Sequence, residues 1–256
     1  MIVTGSMPGI WISMPEWTDQ GIIVSVRAHG EHDAVVNLLT EQHGRHAGLV
    51  KAGLARSQKN TVMIGNLVQA DWRARLPEQL GSFRMELQRT HSASYLDDPV
   101  RLAGLGALCA LIEFALPERE PQPVLWQSTT ALLEIMSLAE DDIWLAYFIR
   151  WELGILAQAG FGLALDKCAV SGATDKLAYI SPKTGHAVTE AGAGMFKDRL
   201  LPLPQFLGGT QLLENEYEAG MALSTHFLRR HLFDSVNKDL PQARLRLAHL
   251  VANGYR

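Results

Sequence analysis

Cysteine is nearly absent from this chain. Its 256 residues contain two cysteines; Cys109 lies in an apolar helical pattern and Cys168 in a polar loop. Two cysteines in a chain of this length do not provide the disulfide framework that stabilises small secreted domains. The scarcity favours a reducing compartment, and we expect a cytoplasmic protein.

Long apolar runs are also missing. The most apolar stretch, Val100 to Leu116, is interrupted by Arg101 and Glu113 and is shorter than the roughly 20 residues that a membrane-spanning helix requires. The segment MIVTGSMPGIWIS at the N-terminus contains no Lys or Arg, whereas a secretory signal begins with positive charge. The sequence therefore predicts neither a membrane span nor export.

Recognised catalytic patterns are lacking as well. We find no nucleophile-elbow, phosphate-loop or dinucleotide-binding glycine pattern in the sequence, and we predict no catalytic residue, no cofactor and no enzyme activity. Histidines three apart occur at His29 and His32 and at His43 and His46, but these pairs fall in turns and near strand ends rather than on a helix. We predict no metal site, and a metal-dependent hydrolase built on these histidines remains an alternative.

Positive charge is not in excess overall, but it is concentrated locally. The formal net charge is -4, which argues against a protein that coats nucleic acid with its entire surface. Yet no Asp or Glu occurs between Gln42 and Ala70. From charge alone, phosphate binding and an ordinary solvated sheet face explain this strip equally well. The candidate phosphate contacts are the cations of this strip and of the strand after it: Arg45, Lys51, Arg56, Lys59, Arg73 and Arg75.

Aromatic residues that could stack on unpaired bases are sparse in the same region. Trp72 and Phe83 alternate with charged residues, and this alternation is typical of side chains that face a core. We therefore predict that both pack inside the fold, and we assign neither as a platform for a base.

Hydrophobic periodicity divides the chain into two parts. From Gln20 to His91 a period near two, with turn residues at short intervals, predicts a small closed barrel. Its five predicted strands are Ile22–Arg27, Ala34–Leu39, Ala47–Gly53, Leu67–Arg75 and Phe83–Arg89. After Tyr95 the period becomes helical, and Asp98 followed by Pro99 predicts a helix start. Further helices are predicted over Pro123–Leu138, Ile143–Ala159, Gln211–His231 and Gln242–Val251, with a hairpin at residues 177–181 and 184–188.

These patterns predict an α+β multidomain chain. We expect an N-terminal extension over residues 1–13 and a barrel domain over residues 14–90. A helical domain follows over residues 91–256, with the hairpin inserted at about residues 163–195.

Cations and apolar side chains alternate near the C-terminus. Arg229 and Arg230 lie next to Leu232 and Phe233, a mixture that suits an acidic, aromatic peptide tail. The alternative is a helix that packs on its own domain and extends its cations into solvent.

Three sequence blocks, in their order and spacing, resemble the RecO family of recombination mediators. The first is GIIVSVRAHGEHDAVVNLLTEQHGRHAGLVKAG, from Gly21 to Gly53, and the second is ADWRARLPEQLGSF, from Ala70 to Phe83. The third is GFGLALDKCAVSG, from Gly160 to Gly172. The resemblance covers the chain from about Glu16 onward.

The resemblance implies an OB-fold barrel followed by a helical domain, and a non-catalytic role in DNA gap repair. Such proteins bind single- and double-stranded DNA and anneal complementary strands. With RecR they help RecA to replace single-strand-binding protein, whose acidic tail they also bind. The six cations named above then become the expected DNA contacts, and Arg229, Arg230, Leu232 and Phe233 the expected contacts for the tail. We expect a cytoplasmic, nucleoid-associated protein, and an OB-fold protein that serves RNA remains an alternative.

The sequence departs from part of this family at the inserted hairpin. Some members hold zinc with two pairs of cysteines. Here Cys168 is followed three positions later by Ser171 instead of a second cysteine, and the second pair's approximate places hold Thr189 and Gly192. One thiolate cannot build the four-ligand site of a structural zinc, and we predict a degenerate, zinc-less finger hairpin. The residues before Met14 match nothing in the family, so Met1 and Met14 both remain candidate starts.

Overall fold

The computed structural model describes residues 16–139 and 142–254. A closed five-stranded barrel comes first, and a helical domain with a small three-stranded sheet follows. The α+β multidomain class predicted from the sequence is confirmed. The predicted extension over residues 1–13 and the candidate start Met14 lie outside the described residues.

The barrel strands close in the order β1-β2-β3-β5-β4, which is the predicted OB-fold arrangement. Their bounds are β1 (Glu16–His29), β2 (Asp33–Thr40), β3 (Gly44–Val50), β4 (Leu67–Arg73) and β5 (Ser82–Arg89). The largest differences from prediction are in three strands: β1 begins at Glu16 rather than at Ile22, β3 spans Gly44–Val50 rather than Ala47–Gly53, and β4 ends at Arg73 rather than at Arg75. Arg73 is the last β4 residue with strand partners among the described residues, Glu16 of β1 and Ser82 of β5, and Arg75 lies in the following turn.

Alternation along the strands builds the barrel core. In β4 the side chains of Val68, Ala70 and Trp72 are buried, whereas Arg73 is exposed and Asp71 is half-buried. Successive side chains of a strand point to opposite faces, so the apolar set fills the barrel and the polar set faces outward.

Strand β1 is buried on both faces in its middle. Ile23 belongs to the core of the barrel, but Ile22 and Val24 belong to the core of the helical domain, as does Leu39 of β2. The helical domain therefore packs against the β1–β2 side of the barrel. On the β5–β4 side of the barrel, Arg73 and Arg84 are exposed.

The long helices of the C-terminal domain follow the predicted order. They are α1 (Pro99–Ala115), α2 (Pro123–Leu138), α3 (Trp144–Gln158), α5 (Glu216–Leu228) and α6 (Gln242–Ala252). Asp98 caps α1 as predicted, since its carboxylate accepts hydrogen bonds from the amides of Val100 and Arg101. None of the described helices is long and apolar enough to cross a membrane.

Helix α5 is shorter than the predicted helix over Gln211–His231. It begins at Glu216 because the side chain of Asn215 accepts a hydrogen bond from the amide of Glu218 and caps the first turn. After Leu228 the chain continues as one turn of π-helix, Arg229–Phe233.

The predicted hairpin is present, but its second strand lies at Ala187–Thr189 rather than at residues 184–188. Strands β6 (Leu177–Ile180) and β7 (Ala187–Thr189) pair antiparallel, and β8 (Leu201–Pro202) joins the other edge of β6. The short helix α4 (Glu190–Ala193) follows β7 directly.

Candidate nucleic-acid interface

A groove opens on the barrel where strands β3 and β5 separate. The two strands pair in parallel only at Leu49 and Ser82, where the Leu49 amide also donates to the carbonyl of Gly81 at 3.1 Å. Beyond that pair the strands leave a groove of about 500 Å³. Its lining residues are Val50, Lys51, Gln58, Asp71, Arg73, Ser82, Phe83, Arg84 and Met85.

Three cations and one carboxylate line this groove, hereafter the cationic groove. Lys51, just after β3, and Arg73, at the end of β4, are far apart in sequence, and the structure brings them together here. Arg84 of β5 joins them, directly across the sheet from Asp71. Arg73 is also paired with the exposed Glu16 at 3.1 Å. The groove therefore has the local positive charge that phosphate binding needs in an acidic protein.

Sequence reasoning missed Arg84. The alternation in FRMELQR contains the signal, because Phe83, Met85 and Leu87 face inward and Arg84 must then face outward. Arg84 lies beyond the stretch without carboxylates, Gln42 to Ala70, and only two residues before Glu86. Charge along the sequence therefore does not single it out.

Three more of the predicted cations lie near the cationic groove. Arg56 and Lys59 are exposed on the β3–β4 loop, on either side of Gln58, which lines the groove. Arg75 is exposed in the β4–β5 turn, two residues beyond Arg73. These positions extend the charge around the groove without lining it.

Arg45 is placed differently from the prediction. Its side chain is only 13% exposed and pairs with Glu118 at 3.3 Å, and its Nε donates to the carbonyl of Leu116 at 3.0 Å. The guanidinium thus joins the barrel to the segment after α1. We correct the assignment of Arg45 as a phosphate contact, because its guanidinium is largely buried against Leu116 and Glu118, whereas Arg73 stays 68% exposed beside Glu16.

The segment after α1 packs closely on the barrel at Gly44. This glycine has a φ of +66°, and a Cβ there would lie 2.1 Å from the carbonyl oxygen of Glu120. Arg119 then reaches the β4–β5 turn, where it donates to the carbonyls of Pro77 and Gln79, the latter at 2.8 Å. The helical domain therefore holds the turn that presents Arg75.

Aromatic rings fill the barrel next to the cationic groove. Trp72 and Phe83 are buried, which confirms their predicted place in the core. Trp72 donates from its indole nitrogen to the carbonyl of Leu80 at 3.0 Å. Trp17 and His43, which the sequence did not single out as ring partners, stack on one another with centroids 4.2 Å apart.

The two histidine pairs have different surroundings. His29 and His32 are exposed at the β1–β2 turn. His43 contacts the carboxylate of Asp19, whereas His46 is buried in the barrel. Over residues 16–139 and 142–254, no group of three or more His, Cys, Asp or Glu side chains could hold a metal ion.

Three of the four positions compared with zinc ligands, Ser171, Thr189 and Gly192, lie around the sulfur of the fourth, Cys168. The Sγ atom of Cys168 accepts hydrogen bonds from the amides of Ser171 and Thr189 at 3.5 and 3.4 Å, and a Cβ on Gly192 would lie 3.2 Å from it. Burial by itself would raise the pKa of the Cys168 thiol, but the hydrogen bonds from Ser171 and Thr189 lower it to about 6. Polar groups of the chain thus surround this sulfur.

The predicted contacts for a peptide tail are split between surface and core. Arg229 and Arg230 are exposed, and Arg230 donates to the carbonyl of Pro182 at 3.3 Å. Leu232 is half-buried, whereas Phe233 is fully buried and stacks on Phe114 at 4.0 Å. We correct the assignment of Phe233, because a ring in the core cannot contact a peptide directly.

Comparisons with known proteins cover nearly all of the chain. Residues 14–90 match the family model described as "Recombination protein O N terminal", and residues 96–240 match "Recombination protein O C terminal". A protein of Rhodospirillum centenum named "DNA repair protein RecO" is 47% identical over 234 residues, which are 90% of this chain and 92% of that protein. Proteins of the same name from Cereibacter sphaeroides (strain ATCC 17029) and Rhodospirillum rubrum are 43% and 42% identical, over 93% and 91% of this chain and 99% and 95% of their own lengths.

Proposed function

Because the chain belongs to the RecO family of recombination proteins, we propose that it is a non-catalytic mediator of DNA gap repair. It binds single- and double-stranded DNA and anneals complementary strands. Together with RecR it assists the loading of RecA onto DNA coated by single-strand-binding protein. Its place of action is the nucleoid in the cytoplasm.

The observation that supports DNA binding most directly is the cationic groove. Lys51, Arg73 and Arg84 come from three separate segments of the chain, and all three line the cationic groove. The chain as a whole has a net charge of -4. Cations spaced along a channel neutralise successive phosphates and release their counterions, which gives affinity without sequence preference. Annealing requires this kind of binding, because the protein must hold any pair of complementary strands.

Removing two groove cations is expected to weaken DNA binding and its dependence on salt. The slope of log K against log salt is negative, and each lost phosphate contact reduces its magnitude by about 0.7 for single strands. Arg73→Gln with Arg84→Gln should therefore flatten the slope by about 1.4 and weaken binding more than about tenfold near 0.1 M salt. Fluorescence anisotropy of labelled oligonucleotides over a salt series measures both quantities.

The matched control removes two exposed cations from another part of the chain. Lys167 and Lys183 are both exposed in the hairpin insertion, so Lys167→Gln with Lys183→Gln changes the net charge equally. This control should keep the wild-type slope. An equal loss in the two double variants would mean that net charge, and not the groove, governs binding.

The mediator activity itself is tested by annealing of strands coated with the cognate single-strand-binding protein. The wild-type protein should accelerate annealing of coated DNA, and the Arg73→Gln, Arg84→Gln variant should do so more slowly. Comparable or faster annealing of an RNA pair would favour the alternative of an RNA-serving OB-fold protein. No acceleration of either pair would contradict the proposed function.

We further propose that Arg229 and Arg230 contact the acidic tail of single-strand-binding protein. Both side chains are exposed beside the half-buried Leu232, an arrangement that suits a short acidic peptide with apolar side chains. Charge reversal at both arginines should reduce capture of a labelled tail peptide about tenfold or more and leave DNA binding unchanged. Equal capture by variant and wild type would place the tail elsewhere.

We also propose that the inserted hairpin folds without metal. The hydrogen bonds to Cys168 Sγ take the place that a shared ion has in a four-ligand site. The purified protein should contain substoichiometric zinc, and a chelator should leave its thermal unfolding unchanged. Stoichiometric zinc whose removal lowers the unfolding temperature would contradict this proposal, and a chelator-sensitive hydrolytic activity would support the hydrolase alternative.

A further inference from the structure

Three rings at one end of the barrel form a stack, hereafter the ring ladder. His43 lies parallel to Trp17, with an interplanar angle of 8° and centroids 4.2 Å apart. Trp17 lies nearly parallel to Trp72, at 18° and 5.7 Å. Because Trp72 is buried in the barrel, the ladder runs from the core outward and ends at His43, in the turn between β2 and β3.

A buried carboxylate fixes the outermost ring of the ladder. The Nδ1 atom of His43 lies 2.9 Å from Oδ2 of Asp19, whose side chain is only 2% exposed. The same carboxylate accepts hydrogen bonds from the amides of Gln20 and Gln42, each at 2.8 Å. The His43 amide donates to the hydroxyl of Thr40 at 3.1 Å. His43 is therefore held in place both at the edge of its ring and at its backbone amide.

The outer surface of His43 remains accessible. Trp17 covers one face of the imidazole and Asp19 occupies its Nδ1 edge, yet 32% of the side chain is exposed. The other face and the Nε2 edge are what these two contacts leave open. Packing of the barrel end explains the buried rings, but it does not require a buried carboxylate to orient an exposed ring.

The ring ladder adjoins the cationic groove. Phe83 lines the groove and meets Trp17 edge to face, with centroids 5.9 Å apart. Glu16, the residue before Trp17, pairs with the groove residue Arg73. Gly21 of β1 pairs with Thr40 at the end of β2, so the turn that carries His43 lies toward the same end of β1 as Glu16. A strand that leaves the groove past Arg73 and Glu16 therefore comes to the barrel end that carries the preoriented ring. The bases of a duplex are stacked on their own neighbours, whereas an unpaired base can reach such a ring.

We propose that His43, oriented by Asp19 and backed by Trp17, is a stacking platform for an unpaired base of single-stranded DNA bound in the cationic groove. The inference rests on the proposed DNA-binding function and deepens it, because it predicts tighter binding of single-stranded than of double-stranded DNA. The groove holds the phosphates of either form, and the platform adds affinity for single strands alone. Stacking on aromatic rings tolerates all bases, so the preference carries no sequence specificity.

The experiment compares wild type, His43→Ala and His43→Phe on three ligands: a single-stranded oligothymidylate, the same backbone with abasic sites, and a duplex. The alanine variant should bind the oligothymidylate about tenfold more weakly, with an unchanged salt slope because no phosphate contact is lost. It should bind the duplex as wild type does. The abasic strand should remove the difference between wild type and the alanine variant, and phenylalanine should restore oligothymidylate binding because it restores a ring.

Each contrary result has a distinct meaning. Equal oligothymidylate binding by wild type and His43→Ala overturns the platform while the proposed function stands. So does a variant whose salt slope falls by about 0.7, since His43 would then be a phosphate contact. Equal weakening on the duplex overturns it as well, because a general loss of folding or of groove shape would explain the result. A wild-type protein that binds none of the three ligands contradicts the proposed function itself.

Discussion

Replacing Arg244 with methionine is expected to lower the free energy of unfolding by about 3 to 5 kcal/mol. Arg244 on α6 and Glu152 on α3 are both fully buried and form an ion pair. Nη2 of Arg244 lies 2.9 Å from Oε2 of Glu152 and 3.0 Å from the hydroxyl of Ser224 on α5. The methionine variant leaves the carboxylate of Glu152 in the core without its counter-charge, and this uncompensated charge produces the loss.

A double substitution distinguishes the destabilisation caused by an unpaired buried charge from the stabilisation that the ion pair itself provides. Glu152→Leu together with Arg244→Met removes both charges from the core. Buried ion pairs gain little over apolar side chains of similar volume, because desolvation offsets their attraction. The double variant should therefore be at least about 2 kcal/mol more stable than Arg244→Met alone. Urea unfolding of the single and double variants measures these differences.

An exposed ion pair provides the control for this cycle. Arg89 and Glu134 lie 2.7 Å apart with side chains 45% and 57% exposed. Water screens such a pair, so Arg89→Met should change the stability by less than about 1 kcal/mol. Similar losses at the buried and exposed arginines would contradict the argument that the cost of Arg244→Met comes from leaving Glu152 buried without its counter-charge.

The elements of the fold were predictable because their signals are local. Alternation in Phe83 to Arg89 and the Asp98–Pro99 helix start each depend on neighbouring residues. The boundaries were less so, since they depend on partners distant in sequence. Strand β1 extends back to Glu16 because it pairs with β4. Asp19 looks unsuitable for a buried strand, yet it is stabilised there by amides and by His43.

The candidate interface was predictable only in its general character. A stretch without carboxylates located positive charge, and Lys51 and Arg73 do line one groove. Charge along the chain could not show that Arg45 is occupied by Leu116 and Glu118, because those partners lie in the other domain. Nor could it show Arg84, whose outward direction follows only from the alternation of β5.

The stability of the barrel should also depend on pH through His46. This side chain is 5% exposed, and neither ring nitrogen has a hydrogen-bond partner among the described residues. Trp72 and Trp17 meet it edge to face, with centroids 4.7 and 5.0 Å away. Burial, and then the positive charge of Arg119, lower the pKa of His46 to about 4.

The direction of the pH effect follows from where each state binds the proton. In the unfolded chain a histidine has a pKa of about 6.5, so below that pH the unfolded state binds a proton that the folded state refuses. Stability therefore falls as the pH is lowered from about 6.5 to about 4 and gains nothing further from this group above 6.5. The interval between the two pKa values corresponds to about 3 kcal/mol.

Replacing His46 with leucine should remove this contribution. The free energies of unfolding of wild type and His46→Leu, measured by urea titration between about pH 4 and pH 7, should differ by an amount that changes by about 3 kcal/mol over the range, in favour of leucine at the acidic end. Comparing two proteins cancels the carboxylates, which titrate in both. His29→Gln, which exchanges an exposed histidine of the β1–β2 turn, controls for the loss of one histidine. A constant difference between His46→Leu and wild type would show that the folded barrel accepts a proton at His46 and that the rings around it do not keep the imidazole neutral.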